Sequence, residues 1–216
     1  MQKQIHKVLE LEHLTPETFI IHFERKNFAF EPGQYVVLRD PKGGEGREYS
    51  IYSSSDEVRL SFLIREIEGR GFSYYLRNLK PGESLEIEGP RGFFILDDRN
   101  KKGHPALFVA TGTGVSPFHS YIKSYPGLNY HLLHGVHFSD EAYGHDIFDP
   151  GRFCLCTSRA EGGNFFGRVS YYLRQNYIAT DTICYLCGNS DMIDEVTTIL
   201  EEKGIPPENI RTEVFF

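Results

Sequence analysis

Residues 106–125 read ALFVATGTGVSPFHSYIKSY. An unbroken apolar run, a turn with two glycines and then apolar positions at helical spacing read as a buried strand, a tight turn and a helix. Glycines at such a junction let the backbone approach a pyrophosphate, and the start of the helix offers free N–H groups and the positive end of its dipole. Pro117 suits a first helical turn. A plain tight turn carries the same local signature, and the third glycine of a dinucleotide fingerprint is replaced here by proline.

The same alternation continues downstream. NYHLLHGVHF (129–138), RFCLCTSR (152–159), TICYLCG (182–188) and the terminal ENIRTEVFF (208–216) read as strands. GRVSYYLRQNY (167–177) and DMIDEVTTILEEKG (191–204) read as helices, the second stopping at Gly204 with Pro206 and Pro207 just beyond. Strands alternating with helices imply a parallel, doubly wound sheet.

Upstream the period changes. QIHKVLELEHL (4–14), TFIIHFER (18–25), QYVVLRD (34–40), YSIYSS (49–54), VRLSFLIREI (58–67) and SLEIEGP (84–90) are short strand-like runs separated by turn residues. Val58, Leu60, Phe62 and Ile64 alternate as one face of a strand, and FSYYLRNL (72–79) has the spacing of one short helix. Strands at this spacing predict a small antiparallel barrel. The polar stretch DDRNKKGHP (97–105) marks the change, so the domains are expected at 1–100 and 101–216.

The 216 residues are 40% hydrophobic and 25% charged, an ordinary globular composition. A net charge of −7, with no lysine or arginine run, argues against nucleic acid or an anionic membrane as the main partner. No apolar run has the length of a membrane span or the form of a signal peptide, so a cytoplasmic protein is expected. Charge is uneven: residues 1–103 carry 16 basic and 17 acidic side chains, residues 104–216 carry 7 and 13.

Cys184 and Cys187 form a C-x-x-C, but positions three apart on a strand face opposite ways. With Cys154 and Cys156 in a second such run, buried reduced thiols are expected rather than zinc or a disulfide. His131, His134 and His137 likewise fall on a strand, so no metal site is expected. Arg47-Glu48-Tyr49-Ser50 opens a strand. Its guanidinium can hold phosphate, its phenol ring can lie on a flat heterocycle, and its hydroxyl can serve a ring nitrogen. An edge-strand arginine beside a half-buried tyrosine would look the same.

Taken together and in order, these segments resemble the ferredoxin–NADP reductase superfamily. Its R-x-Y-[ST] is met by Arg47, Tyr49 and Ser50, and its phosphate segment by Gly71-Phe72-Ser73-Tyr74-Tyr75-Leu76. The K-P-G and G-P-x-G segments appear as Lys80-Pro81-Gly82 and Gly89-Pro90-Arg91-Gly92, followed by Phe93. A-T-G-T-G-[VI]-x-P is Ala110 to Pro117, and C-G-x-x-x-M runs from Cys187 and Gly188 to Met192. The resemblance implies a two-domain β plus α/β chain: an N-terminal antiparallel FAD-binding β-barrel followed by a doubly wound parallel-sheet NAD(P)-binding domain.

It also implies roles. Arg47, with backbone N–H groups around Gly71, Phe72 and Ser73, would hold the FAD pyrophosphate. Tyr49 would pack on the isoalloxazine and Ser50 would hydrogen-bond N5. Thr111, Gly112, Thr113, Gly114 and Pro117 form the dinucleotide segment, in which Thr113 and its flanking glycines would contact nicotinamide and pyrophosphate. Cys187, followed by Gly188 and Met192, would sit beside the nicotinamide as a packing and polarising group. Glu213 would be the acidic residue near the active site. Phe215 aligns with the terminal tyrosine that stacks on flavin in plant-type members, and Phe216 is an extra candidate for that stack.

Ser158 and Arg159 follow a strand at the point where an NAD-specific protein usually carries Asp or Glu. Bacterial members have S-R followed by G-R-[IV], matched by Ser158, Arg159, Gly167, Arg168 and Val169. A hydroxyl and guanidinium pair suits a 2′-phosphate, hence NADPH. The expected protein is a monomeric flavoprotein that passes electrons to a separate ferredoxin or flavodoxin, since its cysteines lack cluster spacing. The nearly neutral half is the expected dock for an acidic carrier. Alternatives are an NAD(P)H:flavin oxidoreductase, an NADH-dependent reductase component of an oxygenase, and a nucleotide-binding module that has lost flavin.

Overall fold

The computed structural model describes residues 2–44, 46–67, 69 and 71–215. It divides into two compact units, Met1–Ile95 with His119–Ser124, and Leu96–Phe118 with Tyr125–Phe216.

The first unit is a six-stranded antiparallel sheet of β1 (Gln2–His13), β2 (Thr18–Glu24), β3 (Tyr35–Arg39), β4 (Arg47–Ser50), β5 (Arg59–Arg65) and β6 (Ser84–Arg91). The helix α1 (Gly71–Arg77) lies between β5 and β6 in the chain. The strand order is β4-β3-β6-β1-β2-β5. Just past β4 the Tyr52 N–H donates to the Ser61 carbonyl of β5 at 2.8 Å, which draws the two ends of the sheet together into a nearly closed barrel. β1 serves two partners: Gln2–Lys7 pair with β6 and Val8–His13 with β2, with a register shift between Val8 and Glu10. An extra residue at such a shift bends a strand and increases its twist, as a barrel wall requires.

The barrel interior is filled from alternating positions. Phe19, Ile21 and Phe23 of β2 meet Leu60, Phe62 and Ile64 of β5, with Val36 and Leu38 of β3 and Leu85 and Ile87 of β6. Val58 breaks the expected pattern. It precedes β5 and is 86% exposed, because the strand begins only at Arg59.

In the second unit the strands are β7 (Ala106–Thr111), β8 (Tyr130–Val136), β9 (Phe153–Thr157), β10 (Phe165–Phe166), β11 (Ile183–Gly188) and β12 (Ile210–Val214). The helices are α2 (Asp98–Lys101), α3 (Ser116–Ser124), α4 (Val169–Gln175) and α5 (Ser190–Glu202). All pairings are parallel, in the order β10-β9-β8-β7-β11-β12. The order runs one way from β7 to β10 and the other way from β11 to β12, so the topological switch lies between β7 and β11. Open α/β sheets bind ligands outside the carboxyl ends of the strands at this point.

Helix α5 buries Met192, Ile193, Val196, Ile199 and Leu200 and ends as its sequence requires, with Gly204 at φ +86°. β10 has no sequence signal, being two residues long and defined only by its pairing with Cys156 and Thr157.

The division between the units runs through α3. Residues grouped with the barrel bond within it. The His119 imidazole stacks on Tyr52 with centroids 3.6 Å apart, the Ser120 hydroxyl donates to the Ser53 carbonyl at 2.7 Å, and the Tyr121 hydroxyl donates to the Phe94 carbonyl. Among the described residues no helix is long and apolar enough to cross a membrane.

Phe62 is fully enclosed in the barrel core. Phe62→Ala should lower the unfolding free energy by about 3–5 kcal/mol in urea melts. A loss below about 1 kcal/mol would mean that this interior is not close-packed.

Candidate functional site

In the barrel unit the candidate residues come from β4 and α1. β4 stands last in the sheet order and pairs only with β3, Arg47 opposite Leu38, Tyr49 opposite Val36 and Ser50 opposite Tyr35. Alternation puts Arg47 and Tyr49 on one side of the strand. Arg47 is exposed, Tyr49 is half-buried and Ser50 is buried. Tyr49 and Phe72 pack against the same barrel core. Burial lifts the Tyr49 phenol well above its usual range, opposed by the nearby charge of Arg47, so the ring stays neutral at physiological pH. Gly71, at φ +78°, opens α1. The Ser73 hydroxyl oxygen accepts the Ile67 N–H at 3.1 Å.

The second set gathers at the switch point. A side chain at Gly114 would place its Cβ 2.4 Å from the Cys187 carbonyl oxygen, and one at Gly188 would come within 2.1 Å of Thr111 Oγ1. Only glycine permits this approach of the two strand ends. Thr111 Oγ1 then receives the Asn189 N–H at 3.3 Å and its amide at 3.4 Å, while Asn189 caps α5 by accepting the Met192 N–H at 2.8 Å. In register, Cys187 sits between Ala110 of β7 and Glu213 of β12. The Phe215 N–H donates to the Gly188 carbonyl at 2.8 Å. Thr111, Gly112, Thr113, Gly114, Cys187, Gly188, Met192, Glu213 and Phe215 therefore share one end of the sheet, with Pro117 in the first turn of α3. Phe216 lies outside the described residues.

Cys187 is fully enclosed. Burial, with the charge of Glu213 added, holds its thiol well above the usual range, so it is protonated and not nucleophilic. All four cysteines are buried and free. Among the described residues no group of three His, Cys, Asp or Glu is placed to hold a metal ion.

Ser158 and Arg159 leave β9 anchored by backbone: Ser158 N–H and hydroxyl both donate to the Val136 carbonyl, at 3.0 and 3.1 Å, and Arg159 N–H donates to the His137 carbonyl. Gly167 N–H donates to the Thr157 carbonyl at 2.8 Å, which brings Arg168 to the end of the neighbouring strand. Arg159 and Arg168 are exposed, and no described carboxylate pairs with either guanidinium. Two exposed arginines without a described carboxylate partner, on segments that leave the ends of neighbouring strands with Ser158, are residue types that suit a phosphate monoester. The phenol, hydroxyl and guanidinium of β4 are donors of the kind a flavin nucleotide needs.

Two residues escaped the sequence reading. Asn189 carried a signal, an Asn directly before an acidic first turn. His134 carried none beyond lying on a strand. Its Nε2 is 2.8 Å from the Gly112 carbonyl. Burial pushes its pKa from the ordinary 6.5 to about 4, against the pull of that carbonyl and of Glu141. The folded state thus favours neutral imidazole. The associated stability is full above pH 6.5, is lost as pH falls towards 4, and amounts to about 3 kcal/mol. The stability advantage of the wild type over His134→Gln, measured by melts at pH 7 and pH 4, should shrink by about that amount. An advantage that does not change with pH would mean that the imidazole is not held neutral.

Residues 6–95 match the family model described as the oxidoreductase FAD-binding domain. The chain is 32% identical over 235 residues to ferredoxin–NADP reductase B of Sorangium cellulosum, covering 96% of this chain and 95% of that protein. It is 29% identical over 233 residues to the toluate 1,2-dioxygenase electron transfer component of Pseudomonas putida, covering 99% of this chain and 67% of that protein. Among solved structures, a ferredoxin NADP+ reductase from Neisseria gonorrhoeae with bound FAD and NADP superposes with a TM-score of 0.89 over the full length of both chains, at 22% identity.

Proposed function

The chain belongs to the ferredoxin–NADP reductase superfamily, and from that we propose that it is an FAD-dependent oxidoreductase that carries hydride between NADPH and FAD and single electrons between FAD and a separate ferredoxin or flavodoxin. Bound FAD supplies the exchange between two-electron and one-electron chemistry. The protein's part is to bind, orient and exclude.

Arg47, with the N–H groups opening α1, would hold the FAD diphosphate. Tyr49 would offer a neutral aromatic face, and the Ser50 hydroxyl would hydrogen-bond N5. In the second unit the Gly112–Gly114 turn would take the NADPH diphosphate on its N–H groups. Cys187, kept protonated, would pack against the nicotinamide without attacking it. Glu213 would stand next to it in register, and Phe215, tied to Gly188 through its backbone, would cover the flavin side.

The observation that carries the choice of NADPH is the pair Arg159 and Arg168 beside Ser158, with no described carboxylate to neutralise them. NADH lacks the phosphate they suit. A second reading, the NADH-using reductase component of an oxygenase, is favoured by the similarity to the toluate dioxygenase component. The expected setting is the cytoplasm and the expected state a monomer.

Anaerobic stopped-flow reduction of the purified flavoprotein separates these readings. Faster bleaching by NADPH than by NADH supports the first; the reverse order supports the second and overturns the 2′-phosphate assignment. Arg159→Ala should weaken NADPH and spare NADH. Ser50→Ala should retain flavin but slow its reduction by more than about tenfold, a barrier increase of about 1.4 kcal/mol. An unchanged rate would remove Ser50 from the mechanism.

A further inference from the structure

The Gly112–Val115 turn presents backbone to a ligand, and its value depends on which way each peptide faces. A trans peptide points its C=O and the following N–H in opposite directions. Gly112 sits at φ +52° with nothing near the position of a Cβ, so it has no side chain to resist a peptide flip. A flipped Gly112–Thr113 peptide would show a carbonyl to a diphosphate and repel it.

One side chain opposes that flip. The Ser116 hydroxyl, which donates to the Thr113 carbonyl at 2.7 Å, and the Ser116 N–H, directed to the same oxygen, instead fix the next peptide, Thr113–Gly114. His134 Nε2 lies 2.8 Å from the Gly112 carbonyl. Two lone pairs cannot face each other at that distance, so the Nε2 atom carries the proton and donates. Nδ1 is then an acceptor, and it has no described partner although fully buried. The imidazole is immobilised from β8, between Ala110 of β7 and Leu155 of β9, with the Tyr143 ring 6.3 Å away.

We propose that His134 is a positioning residue for dinucleotide binding: by holding the Gly112 carbonyl into the sheet, it turns the Thr113 N–H outward to the diphosphate of NADP(H). This rests on the functional reading above. It assigns to His134 a role at the diphosphate, distinct from the 2′-phosphate contacts of Ser158, Arg159 and Arg168.

The test uses the FAD-loaded protein and two probes, NADP+ and adenosine 2′-monophosphate, which keeps the 2′-phosphate but has no nicotinamide half and neither phosphate of the bridge. His134→Leu removes the donor, while His134→Gln keeps an N–H near the place of Nε2. Calorimetric titration should show NADP+ weakened roughly tenfold in the Leu variant, near wild type in the Gln variant, and adenosine 2′-monophosphate unchanged in both. Equal weakening of both probes, or a Gln variant no better than Leu, would reduce His134 to a structural role and overturn the proposal. If the Leu variant does not fold, the wild type decides by NMR. The Thr113 amide signal should move with NADP+ and not with adenosine 2′-monophosphate, and a stationary signal overturns the proposal. A wild type that binds adenosine 2′-monophosphate and NADP+ normally, with His134→Leu having no effect on either, sinks only this inference. A wild type that binds neither sinks the functional reading as well.

Discussion

At the ends of β7 and β11 the carbonyl of Cys187 occupies the space that any side chain at Gly114 would need, and the Thr111 hydroxyl does the same to Gly188. This double contact sets the spacing of the two strands at the place where the sheet reverses its order. The chains leaving them run on into α3 and α5, with the Gly112–Val115 turn joining β7 to α3. The link from Thr111 to Asn189 and the bond from Phe215 to Gly188 both depend on the same approach. A methyl group at either glycine would collide with backbone or with Thr111, and the collision could be relieved only by separating the strand ends.

A second regularity concerns charge. Tyr49, His134 and Cys187 are all shifted by burial towards their uncharged forms. The guanidiniums of Arg47, Arg159 and Arg168 stay exposed. The fixed cations therefore sit where phosphates can reach them from solvent, while Tyr49 and Cys187, both expected near the reacting rings, are neutral and Glu213 supplies the charge felt by Cys187.

Much of this was legible in the amino-acid order because local rules and tertiary structure agree. The apolar run before Gly112, the stop at Gly204 and the alternation of Leu60, Phe62 and Ile64 each correspond to an observed element. Val58 failed because alternation alone does not mark where a strand begins. β10 was invisible because two residues have no period, and its existence depends on a neighbour supplied by Cys156 and Thr157. His134 was unreadable for a different reason. Its partner is a backbone carbonyl 22 residues away, and a carbonyl has no letter in the sequence.

The barrel unit is discontinuous along the chain, since His119–Ser124 group with it although Leu96–Phe118 do not. A recombination crossover near residue 96 would strip the barrel of the His119 ring, the Ser120 hydroxyl and the Tyr121 phenol. One placed after Ser124 would carry β7 and its glycine turn away from the rest of the parallel sheet. No single cut separates the halves, so this architecture cannot be shuffled as two interchangeable cassettes. Substitutions on α3 that suit one half must be tolerated by the other, which ties their divergence together.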